Sequence, residues 1–415
     1  MMMRRVVMTG FGIVSPLGNT KEEFWQGLRE GRSGVDTLKA FDTTAFSSSV
    51  AGEVKNFDPL HFITKKQVRR MDEFTQFGMA AAEMAVEDAD LDLSKLDLER
   101  SGVLVGSGIG GLKTIEKQVI KYQTSGPSKI SPFLIPMLIT NIVGGEIAIR
   151  FGFKGPNFCV VTACATATHS IGESFRMIQR GDADLFLAGG AEAAITELGF
   201  GGFCAARALS TAYADEPQKA SRPFDKNRDG FVMSEGAAVV IIEELEHALK
   251  RNAHIYAEIT GYGLSDDANH ITAPSPGGEG AARCMKLALQ DAGIEAEEVD
   301  YINAHGTSTH MNDKFETQAI KTVFGDHAHN LCVSSIKSMT GHMLGASGAA
   351  EAGSIGLMMQ DGIIVPTINQ EESDPECDLD YVPNVARKQQ IQIATSNSFG
   401  FGGHNACLVF KKFNA

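Results

Sequence analysis

The chain has 415 residues, 43% hydrophobic and 21% charged, the balance of a soluble globular enzyme long enough for two domains or one duplicated unit. Its formal net charge of −14 argues against nucleic acid as a main partner, which calls for a basic surface. No run approaches the roughly 18 apolar residues of a membrane span, and seven dispersed cysteines without a Cys-x-x-Cys fit neither a disulfide framework nor a structural zinc site.

The apolar part of the N-terminal segment Met1–Met8 is too short for a signal peptide. No targeting segment is read, so the expected location is the cytoplasm, or an organelle stroma or matrix if the protein is imported. Short apolar strands then alternate with amphipathic helices, the pattern of an α/β fold. Strands are predicted at residues 5–8, 102–105, 157–161, 185–188, 238–243, 257–260, 301–304, 331–334, 392–396 and 407–410. Helices are predicted at residues 22–29, 73–88, 172–180, 280–291 and 347–360.

A duplication shows through. Val7-Met8-Thr9-Gly10-Phe11-Gly12 resembles Glu258-Ile259-Thr260-Gly261-Tyr262-Gly263. Ala85–Ala89 resembles Ala288–Ala292, and Cys159–Thr162 resembles Cys332–Ser335, in the same order. Two halves are expected, residues 1–253 and 254–415, with a site between them.

Chemistry concentrates in turns after strands. Cys164 follows the apolar run Phe158–Val161 and opens a predicted helix reaching Arg180. A thiol at a helix start is expected to have a lowered pKa and to need no dedicated base touching it. His305 in Asn-Ala-His-Gly-Thr-Ser-Thr and His342 in Lys-Ser-Met-Thr-Gly-His lie in glycine-flanked turns, with Lys337 just before the second. A nucleophilic thiol with two loop histidines and a lysine points to covalent acyl chemistry. Glu351, on the helix after His342, is a candidate partner for Lys337. In Gly400-Phe401-Gly402-Gly403, the amides of Cys164 and Phe401 together suggest an oxyanion hole, with Phe401 as a gate.

Other motifs read more plainly. Gly106-Ser-Gly-Ile-Gly-Gly111 fits a dinucleotide fingerprint, but its strand is not the first of the unit and no acidic residue stands about 20 positions on. The histidines lack ligand spacing and nearby carboxylates, so no metal is expected. Lys66, Arg69 and Arg70 share one face if the segment is helical, and read either as a solvated face or as a docking patch for an acidic partner.

The motifs Thr-Ala-Cys, Asn-Ala-His-Gly-Thr-Ser-Thr, Lys-Ser-Met-Thr-Gly-His and Asn-Ser-Phe-Gly-Phe-Gly-Gly together resemble the 3-oxoacyl-[acyl-carrier-protein] synthases, the condensing enzymes of fatty acid elongation. The resemblance covers essentially the whole chain. It implies the thiolase-like fold, five layers α-β-α-β-α built from two pseudo-repeat halves. It implies a homodimer that uses acyl carrier protein as partner, with no cofactor beyond the phosphopantetheine carried by that partner. By the same resemblance, Cys164 carries the acyl group, His305 and His342 donate hydrogen bonds as malonyl decarboxylation generates an enolate, and Lys337 with Glu351 orders the histidines. Gly400, Phe401 and Gly402 form the gating and oxyanion loop, supported by Thr307 and Thr309. Ile109 and Phe133 belong to the acyl pocket, and Lys66, Arg69, Arg70 and Arg207 dock the carrier.

Ile109 and the stretch Ile130–Pro136 favour the class II elongating type. A polyketide or specialised-lipid condensing subunit, a partner subunit without turnover and a Cys-His hydrolase stay open beside it. The chain departs from the family pattern at Ala165–His169, at His310 and Met311, and at His404, which stands where Thr is usual.

Overall fold

The computed structural model describes residues 3–414. Nine strands make one mixed sheet: β1 Val6–Val14, β2 Ser101–Gly106, β3 Leu185–Glu192, β4 Gly236–Glu244, β5 Ala257–Asp266, β6 Tyr301–Asn303, β7 Cys332–Ser334, β8 Ile393–Gly400 and β9 His404–Lys411. Their order is β2-β3-β4-β1-β5-β9-β8-β6-β7. β1 and β5 pair antiparallel at the centre, through Val6 with Ile259 and Met8 with Ala257.

Outward from that seam the two halves repeat. On one side lie β1, β4, β3 and β2, followed by the extended segment 157–161, which touches β2 by a parallel bridge between Asn157 and Val103. On the other lie β5, β9, β8, β6 and β7. The first, fifth, fourth, second and third extended segments of each half thus stand in the same order, which is the structural form of the duplication.

Six main helices complete the layers: α1 Glu73–Asp88, α2 Ile142–Phe151, α3 Thr166–Arg180, α4 Glu279–Ala292, α5 His310–Phe324 and α6 Ser347–Asp361. Three cores separate them. Val239 and Ile241 of β4 face Phe77 and Ala81 of α1, whereas the alternate Val240 and Ile242 face the core shared with Phe175 of α3 and Ile355 of α6. Beyond the second half-sheet, Val409 of β9 packs with Met285 of α4 and Ile320 of α5. Strands buried on both faces read as continuous apolar runs, as these do. The result is the five-layered α-β-α-β-α arrangement, with α3 and α6 in the middle.

Matched glycines set the spacing in both halves. A Cβ on Gly12 would lie 2.0 Å from the Ala81 carbonyl oxygen of α1, and one on Gly263 would lie 2.2 Å from the Cys284 carbonyl oxygen of α4. Asp88 accepts from the Phe11 amide and Asp291 from the Tyr262 amide, each at 2.9 Å. The Phe11 ring then rests on Gly353 of α6 and the Tyr262 ring on Gly172 of α3.

Several predicted elements shift. The helix at 73–88 matches its bounds, with Asp72 capping it. β1 runs to Val14 rather than Met8. The segment 157–161 forms no regular strand beyond its one bridge. The basic segment is helical only over Lys65–Val68, with Arg69 as its cap, so Lys66, Arg69 and Arg70 share an exposed turn and not a helix face.

Candidate active site

Each chemical group sits just past the carboxyl end of an extended segment, where α/β folds build ligand sites. Cys164 lies in a short 3-10 turn, Ala163–Ala165, between segment 157–161 and α3. Ala163 holds a left-handed φ of 50°, strain that turns the next side chain inward. His305 follows β6, Lys337 and His342 follow β7, and Gly400 ends β8.

These turns converge on one cavity of about 490 Å³, lined by Cys164, His305, His342 and Phe401 among others. His342 Nε2 lies 2.9 Å from Cys164 Sγ, and His342 Nδ1 lies 3.1 Å from Ser347 Oγ. The Ser347 hydroxyl either donates or accepts, so it satisfies both tautomers of the ring. The His305 ring centre is 5.5 Å from that of His342, at 85°. Its Nδ1 is buried and has no hydrogen-bond partner among the described residues.

Lys337 and Glu351 are buried together, with the ammonium donating to Glu351 Oε1. Burial, and then the Lys337 charge, hold both histidines well below their ordinary pKa, so both rings are neutral. Burial pushes the Cys164 thiol up to about 12, opposed by Lys337 and by the amides of Phe401 and Cys164, and reinforced by Glu192. This corrects the expectation of a lowered thiol pKa. The helix proper starts two residues later, and desolvation outweighs its dipole. It also corrects the expectation that no base touches the thiol, because His342 does.

The two amides that favour the sulfur anion are those assigned to an oxyanion hole. The turn at residues 400–403 supplies one of them by close approach. A Cβ on Gly400 would stand 2.6 Å from the Thr162 carbonyl oxygen, and Gly402 has a φ of 91°. Phe401 is 37% exposed, borders the cavity, and lies 6.4 Å from the Phe203 ring centre.

Thr307 and Thr309 line the cavity and meet through their hydroxyls at 3.0 Å. Ile109 lines it too. Phe133 does not. Its ring lies under the Arg70 guanidinium, 4.4 Å from ring centre to carbon. Arg207 borders the cavity, whereas Lys66, Arg69 and Arg70 lie on the exposed turn. His404, at the start of β9, faces Asp266 at 3.6 Å.

Two carboxylates escaped sequence reasoning. Glu316 of α5 accepts from the His305 and Gly306 amides, each at 2.8 Å, and burial pushes it up to about 7. Glu192, at the end of β3, lines the cavity and accepts from several amides. Both act mainly on backbone amides, so no side-chain motif announces them. Among the described residues no three His, Cys, Asp or Glu side chains gather as a metal site.

Comparison with known proteins now decides the family. The Beta-ketoacyl synthase N-terminal domain matches residues 3–248, and the C-terminal domain matches residues 256–371. The chain belongs to the beta-ketoacyl synthase family. Among relatives of this synthase, the 3-oxoacyl-[acyl-carrier-protein] synthase 2 of Coxiella burnetii is 55% identical over 409 residues, 99% of each chain. The protein of the same name from Synechocystis is 52% identical over 410 residues, 99% of this chain and 98% of that one. Among solved structures, a beta-ketoacyl synthase from Burkholderia phymatum superposes with a TM-score of 0.92 at 34% identity, covering 99% of this synthase and 100% of that chain. A type II polyketide ketosynthase in complex with its acyl-carrier protein superposes at 0.93 with 36% identity, covering 99% and 100%.

Proposed function

We propose that this synthase condenses acyl-[acyl-carrier protein] with malonyl-[acyl-carrier protein], giving a 3-oxoacyl product two carbons longer, CO2 and free carrier, in fatty acid elongation. The observation that carries this reading is His342 Nε2 at 2.9 Å from Cys164 Sγ, with a neutral His305 beside it. In the first step His342 takes the thiol proton as sulfur attacks the acyl thioester, and returns it to the departing pantetheine thiol. His342 ends neutral, and Cys164 carries the acyl group. In the second step malonyl loses CO2 and its electrons pass to an enolate, whose oxygen accepts hydrogen bonds from His305 and from the other tautomer of His342, with the proton on Nε2, which Ser347 satisfies by donating to Nδ1. Neutral imidazoles suit this task, because they stabilise developing charge without having to lose a proton. The enolate carbon attacks the acyl carbonyl, whose oxygen sits on the amides of Cys164 and Phe401. Collapse expels the Cys164 thiolate, which takes a proton from water, so each cycle consumes one proton.

No resident cofactor is needed for these steps, and the phosphopantetheine arrives on the carrier. The carrier docks through the exposed Lys66, Arg69 and Arg70 and through Arg207 at the cavity rim. An acidic enzyme thus offers a local basic face to an acidic partner. Two copies assemble. Phe158 and Val161, 41% and 47% exposed on a barely paired extended segment, support an interface there. Seven free cysteines support a reducing cytoplasmic setting, and no helix among the described residues is long and apolar enough to cross a membrane.

Intact-mass measurement tests the reading. The protein is incubated with long-chain acyl-carrier protein and then with malonyl-carrier protein. An adduct on Cys164, discharged into a product two carbons longer, is expected. An adduct that only hydrolyses would make the chain a hydrolase. Cys164→Ala is expected to lose elongation and keep malonyl decarboxylation, since both histidines remain.

A further inference from the structure

Glu192 is fully buried at the end of β3, yet four donors surround its carboxylate. Oε1 accepts from Ser107 Oγ at 2.5 Å and from the Ile109 amide at 3.1 Å. Oε2 accepts from the Gly108 and Gly345 amides, both at 2.9 Å. Burial pushes this carboxyl up while the donors pull it down. Three of the partners are amides that only donate, and the fourth, Ser107 Oγ, in turn accepts from the Gly110 amide at 2.8 Å.

The donors come from two segments that the sequence keeps far apart. Ser107, Gly108 and Ile109 form the turn after β2, which carries Ile109 into the cavity wall. Gly345 belongs to the turn that leads from His342 into α6. The two turns touch, since a Cβ on Gly345 would lie 2.6 Å from the Gly108 nitrogen. A Cβ on Gly108 would lie 3.3 Å from the carbonyl oxygen of Ala163, the residue before the nucleophile. Glu192 also lines the same cavity as Cys164, and its charge opposes formation of the thiolate.

We propose that Glu192 is a positioning residue, which clamps the Ile109 wall of the acyl pocket to the turn behind His342, against the turn that carries Cys164. The proposal deepens the condensing role and rests on it for the acyl-pocket half. One side chain then sets two properties together. The pocket wall holds its distance from the nucleophile, and the turns that carry the thiol and its base hold their places beside each other.

The test uses full-length Glu192→Gln and Glu192→Asp, with two readouts. The first is the pH profile of Cys164 alkylation by iodoacetamide, followed by peptide mass. The second is single-turnover acylation of Cys164 by long-chain and short-chain acyl-carrier proteins. Glu192→Gln removes the charge, so the alkylation profile is expected to move about one unit to lower pH. Its NH2 group faces donors, so the preference for long over short acyl groups is expected to fall roughly tenfold. Glu192→Asp keeps the charge but shortens the reach. Its alkylation profile is expected to stay in place while long-chain acylation falls.

Wild-type values for both readouts in folded Glu192→Gln would overturn the proposal. If Glu192→Gln does not fold, a Glu192→Asp protein with unaltered chain-length preference would overturn it. A wild-type protein that takes no acyl group, while Glu192→Gln still shifts the alkylation profile, would instead sink the condensing reading and leave the hold of Glu192 on Cys164 standing.

Discussion

His342 Nε2 and Cys164 Sγ stand 2.9 Å apart, with both groups buried and both neutral at rest. Water has little access to the pair, so a separated thiolate and imidazolium would lack solvation. The proton therefore moves only when a substrate carbonyl arrives to share the charge. This places the activation of the thiol in the transition state and not in the resting enzyme.

That arrangement has a pH signature. Burial lifts the thiol to about 12 and keeps His342 far below its ordinary value. Below the thiol pKa, the free thiolate fraction rises tenfold per pH unit. Alkylation of Cys164 is expected to climb steadily from pH 6 to 9, with no step near the ordinary histidine pKa of about 6.5. A profile that levels off below pH 7 would mean a resident ion pair. His342→Ala is expected to slow acylation at pH 7 by about 10²–10⁴-fold, with the gap narrowing as pH rises.

The Lys337–Glu351 pair makes a separate claim. Lys337 is 1% exposed and Glu351 0%. Removing one partner strands a buried charge. Lys337→Met is expected to lower stability by about 3–5 kcal/mol, and Lys337→Met with Glu351→Leu to recover most of that loss. Urea denaturation of both variants measures it. The double variant is still expected to be a poor enzyme, because Lys337 helps hold His305 and His342 neutral. A double variant as unstable as the single one would show that packing, and not charge, dominates there.

The basic turn is open to direct test by charge reversal. Arg69→Glu with Arg70→Glu is expected to raise the apparent KM for acyl-carrier protein by roughly tenfold, with a much smaller change in kcat. The effect is expected to shrink at high salt, as exposed charges are screened. Arg70 also covers Phe133, so Arg69→Glu alone serves as the control for lost packing. Unchanged saturation in both variants would remove the docking role.

Much of this architecture was legible in the sequence because repetition left marks that local physics enforces. Gly10 and Gly12 in β1, like Gly261 and Gly263 in β5, are small because a helix backbone presses on each. The turns bearing Cys164, His305, Lys337 and His342 were legible for the same reason, since their flanking small residues permit close approach. What stayed hidden depended on tertiary neighbours. The inner face of α5 buries Asp313, Glu316 and Thr317, so its inward side reads as hydrophilic and no helix was predicted there. Glu192 and Glu316 bind amides whose positions only the folded chain defines. Segment 157–161 has the β-branched character of a strand, but within this chain it finds a single bridge.

The turn at residues 400–403 gives the sharpest separation between backbone and side chain. The proposed oxyanion donor is the Phe401 amide, and Gly400 sets where that amide lies. A methyl group on Gly400 would meet the Thr162 carbonyl oxygen at 2.6 Å, so the turn must back away from Cys164. Gly400→Ala is expected to cut single-turnover acylation by about 10²-fold, the scale of losing one oxyanion donor. Phe401→Ala keeps the amide and removes only the ring that borders the cavity beside Phe203. It is expected to cost much less in acylation and to change selectivity among acyl donors instead. Intact-mass time courses on both variants separate the two roles. Equal losses would mean that the ring, and not the amide, is what the turn delivers to the site.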